Sequence, residues 1–303
     1  MQKRVGTHDG QFHIDETTGV ALLQLTTEYN NLTVFRSRDM TLLSSCDLVL
    51  DVGRVYNHKL RRYDHHQRGF SETWDETSVV KLSSSGLILK HYGKEVISHI
   101  SSEPSFDPLK DDKEVDWFLN KWYYFFFVSI DGEDNGIPQT VNSLYCFEFG
   151  SLRSTISTMN SSRSKGFFNA VKVASCALLD SFYRLYFSWR PTAQKYPPES
   201  FSQSIRVIED DDADWCTLCE MASMGKTKIV VRKEGDKYFA RPAIDQKGCG
   251  LKWPKLWRGL YGSKLHSVAG NNTVYCDKSG VELVLTNVDD INTFEKYLIA
   301  NTY

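Results

Sequence analysis

Residues 47–53 read Asp47-Leu-Val-Leu-Asp-Val-Gly53, "DLVLDVG". Its apolar run, closing on Asp51 and Gly53, has no polar side to offer water. That is the pattern of a strand covered on both faces, and such strands belong to parallel sheets. Working outward, "KRVGTH" (3–8) and "LTVFRS" (32–37) are short strand candidates. Between them "DETTGVALLQLTTEY" (15–29) reads as a helix, with Asp15 and Glu16 at its positive end. "TSVVKLSSSGLILKHYG" (77–93) reads as a helix closed by Gly93, and "KEVDWFLNKWYYFFFVSID" (113–131) as another ending near Asp131. Alternating strands and helices predict an α/β fold, a parallel sheet with helices on both faces. Ligands of such sheets gather beyond the carboxyl ends of the strands, where His8 and Asp51 both fall.

A long helical stretch, "SKGFFNAVKVASCALLDSFYRLYFSW" (164–189), leads into "RPTAQKYPPES" (190–200). Pro191, Pro197 and Pro198 mark the latter as a linker. Beyond it, "IRVIE", "TKIVVRK", "KYFARPAI", "NTVYC" and "VELVLTN" are strand-like, with "EGDK" (234–237) a hairpin turn. "DDINTFEKYLIA" (289–300) reads as a closing helix capped by Asp289 or Asp290. The expected organisation is a domain over 1–190, including the connecting helix, and a smaller C-terminal α+β domain over 191–303.

Bulk composition narrows the function. At 303 residues, 41% apolar and 24% charged, the chain has ordinary globular composition. A net charge of −2 excludes polyanion binding through overall charge, so any nucleic-acid site must be local. The seven cysteines are scattered in mostly apolar contexts, which suggests reduced thiols rather than a disulfide framework. Cys216 and Cys219 lie in "ADWCTLCEMA", which reads as a packed amphipathic helix rather than a zinc or redox site. No run of roughly eighteen apolar residues occurs, so no membrane span is expected. The first histidine motif begins at Thr7 and leaves no room for a targeting peptide. The expected location is the cytoplasm or nucleus.

Four of the eight histidines fall in two tight clusters beside aspartates, "THDGQFHID" (7–15) and "RYDHHQRGF" (62–70). Histidine and aspartate are indifferent helix formers and are rarely fully buried unless paired. Metal ligation explains the grouping better than fold stability does. His13 and Asp15, two apart in an extended segment, point to the same side, and His8 at a strand end can reach them. Asp51 adds a carboxylate at another strand end. Asp64, His65 and His66 add a loop with two imidazoles, and Asp131 follows an apolar helix. Mixed His and Asp donors suit Mn²⁺, Mg²⁺, Fe²⁺ or Zn²⁺ in open coordination. So many donors fit two ions sharing one carboxylate, roughly 3.5–4 Å apart, an arrangement suited to phosphoester hydrolysis. An isolated histidine is more often a surface residue and a strand-end Asp more often a helix cap; it is their combination in one α/β region that carries the metal reading.

"GTHDGQFHIDE", "DVG", "YDHHQRGF" and "IDGEDNGI" resemble the successive motifs of the MYG family, a branch of the DHH phosphoesterase superfamily. "SWRP" and "LWRGL" resemble its second half, so the likeness covers nearly the whole chain. The superfamily includes RecJ-type exonucleases, oligoribonucleases and family II pyrophosphatases, and the MYG family is described as a 3′-to-5′ RNA exonuclease and also as a metal-dependent hydrolase. The resemblance implies that His8, His13 and Asp51 hold one metal. It implies that Asp15, Asp51, His65 and Asp131 hold a second, with Asp51 the bridge. His66 would face the scissile phosphate, Asp64 would orient the histidine loop, and the nucleophile would be a metal-activated hydroxide. Two Mn²⁺ are the expected cofactors, with Mg²⁺ an alternative. Arg68 could meet a phosphate bidentately, or be an exposed structural arginine. Asp134 reads as an outer carboxylate or as the start of the "DNG" turn, the turn being favoured.

The family's C-terminal histidine and Gly-Gly-His have no counterpart in "YCDKSGVELVLTN" (275–287). Asp277 stands where the histidine is expected, and Val284 and Leu285 lie near the missing glycines. Between Met224 and Lys264 there are eleven Lys or Arg against three Asp or Glu, with Tyr238, Phe239, Trp253, Trp257 and Tyr261 interleaved. Lys226, Lys228, Arg232 and Lys233 are the candidate phosphate contacts, and the aromatics candidate stacking faces. A basic hairpin surface over an aromatic core is the competing reading. The expected function is a metal-dependent phosphodiesterase, a 3′-to-5′ exonuclease on single-stranded RNA or a short oligonucleotide. The rivals are a hydrolase of a small phosphoester or pyrophosphate, and a non-catalytic metal-containing nucleic-acid-binding protein.

Overall fold

The computed structural model describes residues 2–137, 151–161, 166–243, 251–288, 291–294, 296 and 298–300. The chain divides into two compact units, Met1–Tyr183 and Arg184–Tyr303.

In the first unit, β1 (Lys3–Thr7), α1 (Ile14–Leu23), β2 (Leu32–Arg36), α2 (Met40–Ser44) and β3 (Leu48–Leu50) alternate. Two short strands follow, β4 (Tyr56–Asn57) and β5 (Arg62–Tyr63). The sheet order is β2-β1-β3-β5-β4, parallel except for β4 at the edge. Val5 lies opposite both Val34 and Leu48, and Leu50 opposite Tyr63. The triplet Leu48, Val49 and Leu50 is buried throughout, as its unbroken apolar run predicts. Alternate residues serve opposite layers. A Cβ on Gly6 would stand 2.7 Å from Leu43 of α2, and one on Gly19 of α1 would stand 2.7 Å from Leu50. Helices therefore cover both faces.

Helix α3 spans Ser84–Ile100, so Gly93 lies inside it rather than closing it. Gly93 is there for packing: a Cβ would meet Leu119 at 2.6 Å. Residues 77–82 stay outside the helix, Val79 being 90% exposed and Lys81 bridged to Thr73. Helix α4 (Asp112–Trp122), capped by the Asp111 side chain on the Glu114 N–H, runs through a π-helical turn (Tyr123–Phe127) into α5 (Val128–Asp134). The helix thus continues past Asp131 to Asp134 and stops before Gly136, whose φ is 70°. Trp74 stacked on Tyr123 at 4.2 Å, and Trp122 edge-on to Phe127, hold the wide turn. Helices α6 (Leu152–Thr158) and α7 (Gly166–Arg184) follow.

In the second unit, residues 190–195, read above as linker, form helix α8 (Arg190–Lys195) with Arg190, Thr192 and Ala193 buried. The π-helical turn Leu185–Trp189 just before it widens the backbone where Pro191 would otherwise crowd the preceding turn. β6 (Ile205–Ile208), α9 (Trp215–Met224), β7 (Ile229–Glu234) and β8 (Lys237–Pro242) come next, then β9 (Leu251–Lys252), α10 (Gly262–Ala269), β10 (Thr273–Cys276) and β11 (Leu283–Leu285). The main sheet is ordered β10-β11-β8-β7-β6, with only β6 and β7 parallel. Its core is built on Ile229, Val231, Trp253, Trp257, Leu283 and Leu285. Of the expected closing helix, the described residues include α11 (Ile291–Phe294), and Ile299–Ala300 forms β12 against β9. Asp289 and Asp290, its expected caps, lie outside the described residues.

Candidate metal centre

The cluster forms where β1 and β3 end and α1 begins. His8 follows β1 and Asp51 follows β3, while His13 immediately precedes α1 and Asp15 and Glu16 occupy its first turn. The His8 Nε2 lies 3.0 Å from Glu16 Oε1 and 3.2 Å from Asp51 Oδ2. Its Nδ1 lies 2.8 Å from the Asp9 carbonyl. With Nδ1 donating to that carbonyl, Nε2 is the nitrogen turned to the carboxylates and the one a metal ion would take. Glu16 also accepts from the His13 backbone N–H at 2.9 Å, so one carboxylate fixes the helix start and reaches His8. The rings of His8 and His13 stand 5.6 Å apart.

Asp51 is the junction. It is 4% exposed, with φ of 57°, a left-handed conformation that aspartate tolerates better than most residues. Its Oδ1 lies 3.5 Å from His65 Nε2 and 3.4 Å from His66 Nδ1, and accepts from the Ser84 hydroxyl at 3.4 Å. His65 Nε2 also lies 3.0 Å from Asp134 Oδ2. Among the described residues, potential donor atoms fall into three groups: His8, His13, Glu16 and Asp51; Asp51, His65 and His66; and His13, Asp15 and Asp134. Within each group all lie within 4.8 Å of one another. Asp51 and His13 each belong to two groups, so the three groups are continuous.

Asp64 is buried beneath the loop. Its carboxylate accepts from the backbone N–H of Arg54 and, through Oδ1, from the backbone N–H of His66, and pairs with His66 Nδ1 at 2.8 Å. His66 remains 58% exposed at its side chain and can face a substrate. Arg68, two residues on, is exposed.

The electrostatics describe a site short of positive charge. Burial alone would lower His8, but contacts with Asp51 and Glu16 raise it to about 10. Burial likewise opposes protonation of His65, and Asp134 and Asp51 raise it to about 10. Burial pushes Asp51 up, and the two histidines outweigh it, bringing the carboxyl down to about 2. Asp15 is held well above the ordinary carboxylate range, by burial first and then by Asp51, Asp134 and Glu16. Both its carboxylate oxygens are buried without a hydrogen-bond partner among the described residues. A buried carboxylate facing other carboxylates is costly unless a cation joins it. Four carboxylates and four imidazoles, with both Asp15 oxygens orphaned, fit divalent ions.

Of the residues expected from sequence, His8, His13, Asp15, Asp51 and His65 converge, with Asp64 and His66 beside them. Asp131 joins none of the three groups; its Oδ1 accepts from the Ser83 N–H at 2.9 Å and hydroxyl at 2.7 Å. Asp134 and Glu16 enter the cluster instead. Glu16 had read as a helix-start acid, which it also is. The signal for Asp134 is its place three residues after Asp131, on the same face of a helix that continues through "DGED".

In the second unit, Lys226, Lys228 and Lys233 are exposed. Arg232 pairs with Glu234, donates to the Ala213 carbonyl at 2.9 Å and lies over the Trp215 ring. Arg232 and Lys233 are neighbours on β7, so they point to opposite faces. Trp253 and Trp257 are 0% and 3% exposed and belong to the core. Val284 and Leu285 are buried in β11, and Asp277 accepts from the Ser279 and Glu282 N–H groups to shape the preceding turn. Cys216 is exposed and Cys219 buried on α9.

The family model described as "Uncharacterised protein family (UPF0160)", that of the MYG1 exonucleases, matches residues 4–289. The chain belongs to this family. The MYG1 exonuclease of Homo sapiens is 33% identical over 299 residues, covering 88% of this chain and 77% of that protein. The MYG1 exonuclease of Mus musculus is 34% identical over 217 residues, covering 67% of this chain; the match spans 56% of the mouse protein's length. Among solved structures, that of exonuclease RecJ bound to manganese aligns with 97% of this chain and 89% of its own, at 14% identity and a TM-score of 0.27. A likeness that loose carries no residue or ion across to the MYG1 family chain.

Proposed function

We propose that this MYG1 family protein is a metal-dependent phosphodiesterase, a 3′-to-5′ exonuclease that trims single-stranded RNA. The observation that carries the reading is the strand-end cluster, in which buried Asp15 has two unpartnered oxygens within a ring of carboxylates and imidazoles. The exonuclease names of its relatives support the reaction class.

His8, His13, Glu16 and Asp51 would hold one divalent ion, Mn²⁺ or Mg²⁺, and Asp15, Asp51, His65 and Asp134 a second. Bound there, such ions supply the positive charge that a phosphodiester needs as it is attacked, and a water acidic enough to attack it. The chain's own residues do the rest. Asp51 serves both sites from its strained position at the end of β3. Asp64 holds the His66 ring through Nδ1, leaving the other nitrogen turned outward to donate a proton to a phosphate oxygen or leaving group. Arg68 can add a guanidinium to the same phosphate. The enzyme's catalytic domain is the first unit, and the second unit offers the substrate surface through Lys226, Lys228 and Lys233.

The second reading, hydrolysis of a short oligonucleotide or other small phosphoester, draws on one observation. Trp253, Trp257 and Arg232 are committed to the second unit's own packing, which shortens the surface left for a long strand. The two readings separate on chain length. With 5′-labelled RNA and Mn²⁺, an exonuclease yields a descending ladder from long strands, and a 3′ block stops it. Turnover of dinucleotides alone, with long strands untouched, would overturn the exonuclease reading in favour of the small-substrate one.

A further inference from the structure

Asp131 is fully buried, yet the ligand groups do not include it. It lies on α5, one turn before Asp134. Its Oδ1 takes two hydrogen bonds from Ser83, the residue immediately before α3. Gly86, at the first turn of α3, leaves room for it: a Cβ there would stand 2.5 and 2.6 Å from the two carboxylate oxygens. The Asp131 Oδ2 and the Tyr123 hydroxyl, from the π-helical turn, are buried without a hydrogen-bond partner among the described residues. Asp131 therefore ties α5 to the start of α3 beneath the cluster.

Each tied element carries a group into the site. From α5, Asp134 meets His65 at 3.0 Å. From α3, the residue after Ser83 sends its hydroxyl to Asp51 at 3.4 Å. Ser83, Ser84 and Ser85 are all fully buried, so this end of α3 has no solvent-facing slack. We propose that Asp131 is a positioning residue which, by locking the start of α3 to α5, sets Asp134 against His65 and Ser84 against Asp51 without itself holding an ion. The proposal rests on the two-ion reading above. It separates two carboxylates three residues apart, one a ligand and the other a clamp.

The test is Mn²⁺ titration of the full chain by calorimetry, with electron paramagnetic resonance to detect spin-coupled ion pairs. Wild type holds two ions. Asp134→Asn holds one and loses the coupled signal. Asp131→Leu, which removes the acceptor for Ser83, keeps two sites but binds the second ion about 10–100-fold more weakly, the usual effect of losing a partner behind a ligand. Asp131→Asn keeps an oxygen for Ser83 and recovers most of that loss. If Asp131→Asn instead loses an ion outright, as Asp134→Asn does, Asp131 is a ligand and the proposal fails. Unchanged affinity in Asp131→Leu overturns it as well. Should Asp131→Leu not fold, Ser83→Ala removes one hydroxyl donor and must weaken the second ion, and unchanged binding there is equally fatal. A wild type that holds a single ion sinks the two-ion reading instead. The clamp then stands if Asp131→Asn retains that ion and fails if it does not.

Discussion

Asp51 is the residue on which the account turns. Aspartate suits it twice, as a carboxylate between His8 and His65 and as a side chain that accepts a φ of 57°. Asn shares the second property and lacks the charge. Asp51→Asn should therefore lower Mn²⁺-dependent hydrolysis at least about 100-fold, while circular dichroism shows an unchanged fold. Near-normal rates would remove Asp51 from its junction role. Asp51 was legible because an aspartate ending an apolar strand is placed by the sheet itself. Asp134 was not, because "DNG" is also a strong turn sequence and Asp131, three residues earlier, offered the same chemistry. Nothing in the residue types tells which of two acids on one helical face reaches the cluster. That depends on where the helix ends and on what Ser83 and Gly86 have already claimed.

At the scale of elements, the alternating α/β order was readable from periodicity, whereas glycine and proline misled. Gly93 looked like a helix end and is a contact point between α3 and Leu119. Pro191 looked like a linker and sits in the first turn of α8, behind a π-helical turn that no sequence period announces. Gly225 shows how strict such positions can be. It follows α9, and a Cβ would stand 2.7 Å from the carbonyl oxygens of both Phe201 and Pro198. Backbone cannot retreat as a side-chain tip can, so Gly225→Ala should destabilise the protein by about 1–3 kcal/mol. Denaturant unfolding checks this, and an unchanged midpoint would show that the carbonyls move freely. The aromatic run between 238 and 261 was legible only as a mixture. Burial of Trp253 and Trp257 beside a 70% exposed Tyr261 depends on packing that composition does not encode.

For the whole molecule, metal and proton binding should both register in stability. Ions that bind only the folded chain stabilise it by mass action, about 2.7 kcal/mol per site at one hundred times Kd. Mn²⁺ should raise the melting temperature and a chelator should lower it. The Asp15→Asn variant, with less buried charge to neutralise, should respond less. Away from the cluster, His91 is stacked on His58 at 3.8 Å and bonded to the Tyr56 hydroxyl. Burial, His58 and Lys90 bring its pKa down to about 4, with Glu72 opposing. The unfolded chain then binds more protons than the folded one between about 6.5 and 4, so stability falls as pH drops through that window. Thermal melts should show His91→Phe, which keeps a flat ring against His58, with a shallower loss over the same range. An identical slope would place the acid sensitivity elsewhere.

The most direct test of the central claim sets wild type beside Asp51→Asn, each incubated with Mn²⁺ and a 5′-labelled single-stranded RNA, with products resolved by length. Wild type should give a descending ladder that is absent from the variant and from wild type with chelator. A ladder of equal intensity in both proteins, or none in wild type with Mn²⁺ bound, would contradict it.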